Sequence, residues 1–152
     1  MTDIERVSDE LAIRNLVATY SDGISMRDPD IWGSVWADEG ARWVLGSQVF
    51  EGADEIVSFW VRAVEAYAWL VQVANSGVVF LDGSDVATGR FIISEHGMTS
   101  DGTHRRLLAI YHDRYVRTTA GWRIQERVLE PVAIGAQVEG IDRPDPYFPG
   151  NE

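Results

Sequence analysis

LAIRNLVATYSDGISMRDPDIWGSVWADEGARW, residues 11–43, reads as two helices followed by a strand. Ile13, Leu16, Val17, Tyr20 and Ile24 recur at three- and four-residue intervals, so one stripe of the first helix faces a core with Tyr20 on its border. Ser8 is the expected N-cap. Pro29 disfavours a helical Asp28 and suits a first helical turn, so a second helix is expected from about Asp30 to Asp38. Together these elements direct Tyr20, Ser25 and Trp43 toward one interior.

Beyond Ala41 the pattern changes to strands. Arg42–Leu45 and Gln48–Phe50 flank a turn at Gly46, and Gly52-Ala53-Asp54 caps a third helix over Glu55–Tyr67, with Ile56, Phe59, Trp60, Ala63 and Tyr67 at helical spacing. Four more strands follow in two hairpins. Ser76–Leu81 joins Asp85–His96 through Asp82-Gly83-Ser84, and Arg105–Arg117 joins Trp122–Ala133 through Thr118-Thr119-Ala120-Gly121. The order α-α-β-β-α-β-β-β-β predicts an α+β domain over residues 1–134, its three helices packed in a strongly curved, mostly antiparallel sheet. Residues 135–152 form a Pro-rich tail in which Pro144, Pro146 and Pro149 preclude regular structure.

Composition narrows the function classes. The 152 residues contain 24 acidic and 13 basic side chains, all of the latter arginine, for a net charge of −11. Such a surface repels phosphate backbones, so no nucleic-acid partner is expected. The chain has no cysteine, which rules out disulfides, thiolate ligands and a thiol nucleophile. No window approaches the roughly 18 apolar residues of a membrane span, and the acidic start lacks a signal-peptide core, so a cytoplasmic protein without a membrane partner is expected. Three dispersed histidines give no recognisable metal set, and no glycine-rich phosphate loop or nucleophile elbow occurs. Six Trp, five Tyr and five Phe supply either core packing or an aromatic-lined ligand cavity.

The segments Ala12–Leu16 (AIRNL), Trp32–Asp38 (WGSVWAD), Glu51–Ile56 (EGADEI) and Asp113–Arg117 (DRYVR) with Gly121–Arg127 (GWRIQER), in this order and spacing, resemble the SnoaL-like branch of the NTF2-like superfamily. The resemblance implies a cone with an apolar cavity and an activity like those of scytalone dehydratase, ketosteroid isomerase or dehydrochlorinase relatives. In several of those an aspartate ending the first helix orients a histidine on the first long strand, which abstracts a substrate proton. Here the aspartate's place is Ser25 and the histidine's is Val71 or Gln72. Asp22 stands about 200° around the helix from Tyr20 and should point away. The isomerase base is also missing, since Leu45 occupies its place.

By the same resemblance Tyr20 matches a substrate-donating helix residue, and Arg127 matches a last-strand arginine that meets the leaving group or developing anion. Arg127 could instead form a structural ion pair with Asp113 or Glu126, and Tyr20 could be a core ring. If Arg127 points inward, strand alternation takes Arg123, Gln125 and Leu129 with it, along with Leu107, Ala109, Tyr111, Asp113 and Tyr115 of the neighbouring strand, while His112 points away. Thr88, Arg90, Ile92, Ser94 and His96 share one face of their strand, which alignment suggests is the cavity face. These residues predict a cofactor-independent lyase or isomerase acting on an apolar cyclic or aromatic small molecule. His96 is the expected base, Arg127 stabilises negative charge, Tyr20 or Tyr111 donates to a substrate oxygen, and Trp43, Tyr67, Trp69, Ile92 and Ser94 line the cavity. The alternative is a non-catalytic binding or assembly module that has lost the acid–base pair. A homodimer or homotrimer is expected through an outer sheet face carrying Phe91, Ile93, Leu108, Ile110 and Val116.

Overall fold

The computed structural model describes residues 2–135, so the expected tail lies almost wholly outside them. Helix α1 spans Asp3–Met26, α2 Pro29–Gly33 and α3 Ala53–Val64; the strands are β1 (Arg42–Leu45), β2 (Gln48–Glu51), β3 (Tyr67–Asp82), β4 (Val86–Thr99), β5 (His104–Thr118) and β6 (Gly121–Gly135). The expected element order holds, with three differences of extent. Helix α1 begins earlier than Ser8 because Thr2 and Glu5 close a reciprocal capping box: the Thr2 N–H donates to Glu5 Oε2 at 2.6 Å and the Glu5 N–H to Thr2 Oγ1 at 3.2 Å. Asp28 caps α2 through the backbone N–H groups of Asp30 and Ile31, but α2 stops at Gly33, and Trp36 instead bridges to Ile124 of β6. Tyr67 belongs to β3, which starts well before Ser76.

One six-stranded sheet runs β2-β1-β6-β5-β4-β3, antiparallel throughout except for the parallel β1–β6 pair. It wraps around α1, whose buried stripe includes Ile13, Leu16, Val17, Tyr20 and Ile24 as the sequence predicts. Close approach of α1 to α2 depends on Gly23, where a Cβ would lie 2.7 Å from the Trp32 backbone nitrogen. Helix α3 buries Ile56 and Trp60, and the Trp60 ring stacks on Trp32 at 4.6 Å. Trp32, Trp36 and Trp43 pack mutually at 5.3–6.0 Å, so most of the aromatic load is core.

Two alternations differ from the sequence reading. On β4 the inward set is Ala87, Gly89, Phe91 and Ile93, while Ile92 is 41% exposed. Phe91 pairs with Tyr111 and Gly89 with Asp113, which fixes that face as interior; Phe91 and Ile93 are therefore core rather than outer-face residues. On β6, Arg127 and Leu129 face as expected, but the register slips between Arg114 and Tyr115 so that Gln125 bulges. Trp122 and Ile124 thereby take the interior positions expected for Arg123 and Gln125. Among the described residues no helix is long and apolar enough to cross a membrane.

At the narrow end of the sheet Asp9 of α1 accepts from Arg117 Nη2 at 2.5 Å and from Trp122 Nε1 at 3.2 Å. Burial pulls its pKa upward, but the Arg117 and Trp122 hydrogen bonds hold it below the ordinary 3.8. Asp9→Asn should destabilise the protein by about 1–3 kcal/mol at neutral pH. Because the folded pKa is lowered, this contribution exists above the unfolded value and is lost as pH falls through the folded one. Urea titrations of both proteins should therefore diverge at pH 7 and converge as pH falls below 3.8.

Candidate functional site

The interior polar residues form two connected groups. In the first, Arg127 and Asp113 are register partners on β6 and β5, both fully buried, joined by Nε to Oδ1 and Nη2 to Oδ2 at 2.7 Å each. The Tyr115 hydroxyl donates to the same Asp113 carboxylate at 2.5 Å. The guanidinium lies between two rings, its carbon 4.1 Å from the Tyr20 centroid and 4.2 Å from that of Tyr111, whose hydroxyls share a hydrogen bond of 3.1 Å. Burial disfavours the cation, but Asp113 more than restores it, and the Arg127 pKa is raised. Glu126, the other partner open from sequence, pairs instead with Arg42 at 2.6 Å.

Burial pushes Tyr111 up to about 12, with Glu95 adding to the shift and Arg127 opposing it. Tyr20 is likewise raised by burial and by Tyr111. Both therefore remain neutral hydroxyl donors at physiological pH.

The second group fills the family dyad's positions. Gln72, not Val71, points inward; it is 4% exposed against 46% for Val71. Its Oε1 accepts from Ser21 Oγ at 3.1 Å and its Nε2 donates to Glu95 Oε2 at 2.9 Å. Ser25 Oγ accepts from the Gln72 backbone N–H at 3.0 Å and donates to the Ser21 carbonyl at 2.9 Å. The two residues thus bind α1 to β3. Glu95 continues the inward series of β4 beyond Ile93, and burial raises its pKa above 4.5 despite the Gln72 bond.

Glu95 opens onto a pocket of about 360 Å³ at the wide end of the sheet, bounded also by Tyr67, Leu70, Gly97, Arg105, Arg106, Leu107, Leu129, Pro131, Ile134 and Gly135. Tyr111 lies across the β5–β6 ladder from Leu129.

Of the residues expected at the site, Tyr20, Tyr111 and Arg127 converge, and Tyr67 lines the pocket. Trp43 is 5% exposed within the tryptophan cluster. His96, Ile92 and Ser94 belong to the outward series of β4, opposite Phe91 and Ile93, and Ser94 Oγ accepts from Asn75 there at 2.8 Å. His96 therefore does not face the cone interior. Trp69, out of phase with inward Leu70, packs edge-on to His104 at 6.2 Å. His112 points outward as expected and meets Glu130 at 2.5 Å. Sequence reasoning missed Gln72, Glu95 and Ser21. The signals were a single polar side chain within LeuValGlnValAla and an acid two places beyond Ile93.

The sequence matches the family described as SnoaL-like domain over residues 5–128. The chain belongs to the SnoaL-like domain family. No protein of curated function matches its sequence. A hexachlorocyclohexane dehydrochlorinase of type 2 superposes with a TM-score of 0.85 at 16% identity, covering 95% of this chain and 99% of the other. The type 3 enzyme from Novosphingobium barchaimii LL02 gives 0.83 at 18% identity over 95% and 100%. A scytalone dehydratase candidate from Novosphingobium aromaticivorans gives 0.83 at 12% identity over 97% and 99%. These likenesses establish the fold.

Removing one member of the buried ion pair leaves the other charged and unpartnered. Asp113→Ala should cost about 3–5 kcal/mol, read as a lowered denaturation midpoint with an unchanged slope. A loss below about 1 kcal/mol would show that water reaches Arg127.

Proposed function

We propose that the protein is a cofactor-independent lyase or isomerase that moves a proton on an apolar cyclic or aromatic small molecule bound in the wide-end pocket. The observation that carries this reading is Glu95: a carboxylate at a mostly apolar pocket, oriented by one donor at 2.9 Å and with its pKa raised by burial. A raised pKa makes a carboxylate a stronger base. In the proposed step Glu95 takes a proton from carbon next to an activating group. The electron pair moves either onto a carbonyl oxygen, giving an enolate, or into a new double bond as a leaving group departs. Tyr111, supported by Tyr20, would donate its neutral hydroxyl to the developing oxyanion. Arg127 would act through the two tyrosine rings, since both of its hydrogen bonds go to Asp113.

The rival reading is a small-molecule binding or assembly module. It is favoured by Ser25 and Gln72, whose hydrogen bonds join α1 to β3 where relatives carry an acid–base pair. For the proposed oligomer the outer sheet face offers Val71, Val73, Ile92 and Leu108, each 40–48% exposed. Sedimentation should give a dimer or trimer, and Ile92→Asp should shift it to monomer.

Deuterium exchange into cyclic ketones, followed by NMR, separates enzyme from binder. Glu95→Gln should lower the protein-catalysed rate by about 10²-fold or more, and the wild-type rate should rise with pH through a value above 4.5. Binding with no exchange, or exchange indifferent to Glu95→Gln, would sink the enzymatic reading.

Stability supplies a substrate-free readout of the same group. The folded protein holds the Glu95 proton to higher pH than the unfolded chain, so this residue's contribution falls as pH rises from 4.5 through the raised value. Glu95→Gln should therefore melt above wild type at pH 7, with the gap closing below about pH 4.5.

A further inference from the structure

The wide-end pocket carries opposite charges at its two ends. Glu95 follows Ile93 along the inward series of β4, while Arg105 precedes Leu107 by two residues on β5 and so occupies the same face nearer the strand's start. Between them the lining is Leu70, Leu107, Leu129 and the Tyr67 ring. Arg105 pairs across the ladder with Gly97, and the space a side chain would fill there belongs to Tyr67, 2.8 Å from where a Cβ would sit. Tyr67 stands between the two charges: burial raises its pKa most, Glu95 raises it further and Arg105 lowers it. Glu95 and Arg105 form no ion pair or hydrogen bond with each other, and the side-chain partner of Glu95 is Gln72.

Arg105 is also uncommitted. Arg14, Arg42, Arg117 and Arg127 each hold an acid within 2.7 Å, whereas Arg105 and its neighbour Arg106, which also borders the pocket, have neither an ion pair nor a side-chain hydrogen bond among the described residues; of the two, Arg105 shares the inward face of Leu107. The acid whose field it shares, Asp101, is taken by Thr99 Oγ1 at 2.5 Å and the Thr103 N–H at 3.0 Å. A free guanidinium beside an apolar pocket is a fork suited to a carboxylate.

We propose that the pocket selects a ring compound bearing one carboxylate, held at the rim by Arg105 with its ring on Leu70, Leu107 and Leu129. This rests on the reading of the pocket as the ligand site. Repulsion from Glu95 fixes the orientation, with the carboxylate outward and the reacting carbon inward. The net charge of −11 disfavours more highly charged anions, since far-field repulsion grows with ligand charge. A pocket of about 360 Å³ suits one or two rings.

The test compares 4-oxocyclohexanecarboxylate with its methyl ester, by calorimetry on the full chain at low salt. The carboxylate should bind about tenfold more tightly, as expected for one charge-assisted contact. Added salt should narrow the gap, and Arg105→Gln should bring the carboxylate down to the ester's affinity. Equal or tighter ester binding, a preference that survives Arg105→Gln, or failure of both probes to bind at millimolar concentration overturns the proposal. Exchange measured on the same ketones keeps the two readings apart. Loss of the preference with Glu95-dependent exchange removes only the carboxylate, whereas a preference with Glu95-independent exchange removes only the proton-transfer step.

Discussion

The fold is organised around a charge that the interior could not hold alone. A guanidinium in a dry core carries a desolvation cost of several kcal/mol, offset only when geometry and hydrogen bonding are nearly complete. Arg127 meets most of that demand with two 2.7 Å bonds to Asp113 and two tyrosine faces at 4.1 and 4.2 Å, leaving its buried Nη1 without a hydrogen-bond partner among the described residues. Those partners come from different elements: Tyr20 from α1, and Tyr111 and Asp113 from β5. The pair therefore fixes the position of α1 against the sheet as well as the β5–β6 register. It also explains the bulge at Gln125. With Arg127 opposite Asp113, an unbroken strand would turn Gln125 and Arg123 into the core; the extra residue gives those places to Ile124 and Trp122.

A second constraint follows from the first. Asp113 accepts from Arg127 and from the Tyr115 hydroxyl, so both of its oxygens are engaged, and the tyrosine hydroxyls beside the pair stay protonated. The mobile proton must then be sought nearer the wide end. Glu95 differs from Asp113 in having one amide as its side-chain partner instead of a cation and a hydroxyl. Two interior carboxylates thus have different surroundings: Asp113 is held by a guanidinium and a hydroxyl, whereas Glu95 has a single amide partner and burial raises its proton affinity.

The fold was legible because its signals are local and periodic. The α1 stripe, the Pro29 break and the two long hairpins all follow from side-chain spacing, and the family resemblance supplied their arrangement. The site was legible only in part. The resemblance pointed to Tyr20 and Arg127, and strand alternation from Arg127 added Tyr111; the structure brings the three together. The error on β4 has a physical source: the alignment took the alternating set Thr88, Arg90, Ser94 and His96 as inward, while Glu95 lies out of phase with them, and one strand's alternation does not say which face is interior. The interior is set instead by what meets Tyr111 and Asp113, namely Phe91 and Gly89, and that register is a property of two strands together. The β6 bulge escaped for the same reason, since strict alternation in one strand carries no record of a slip against its neighbour.

The positions of the missing dyad sharpen what such a loss means. Ser25 and Gln72 stand where relatives carry an acid and a base, and both are fully engaged in joining α1 to β3. The same Gln72 side chain continues to Glu95 on the next strand, because Gln72 and Glu95 are register partners. An acidic group one strand away is thereby tied to α1. The connecting residue is an amide: it accepts from Ser21 with one end and donates to a carboxylate with the other. A histidine at position 72 would compete with Glu95 for the proton, and a valine would leave the carboxylate unheld. The amide does neither, and so makes Glu95 usable.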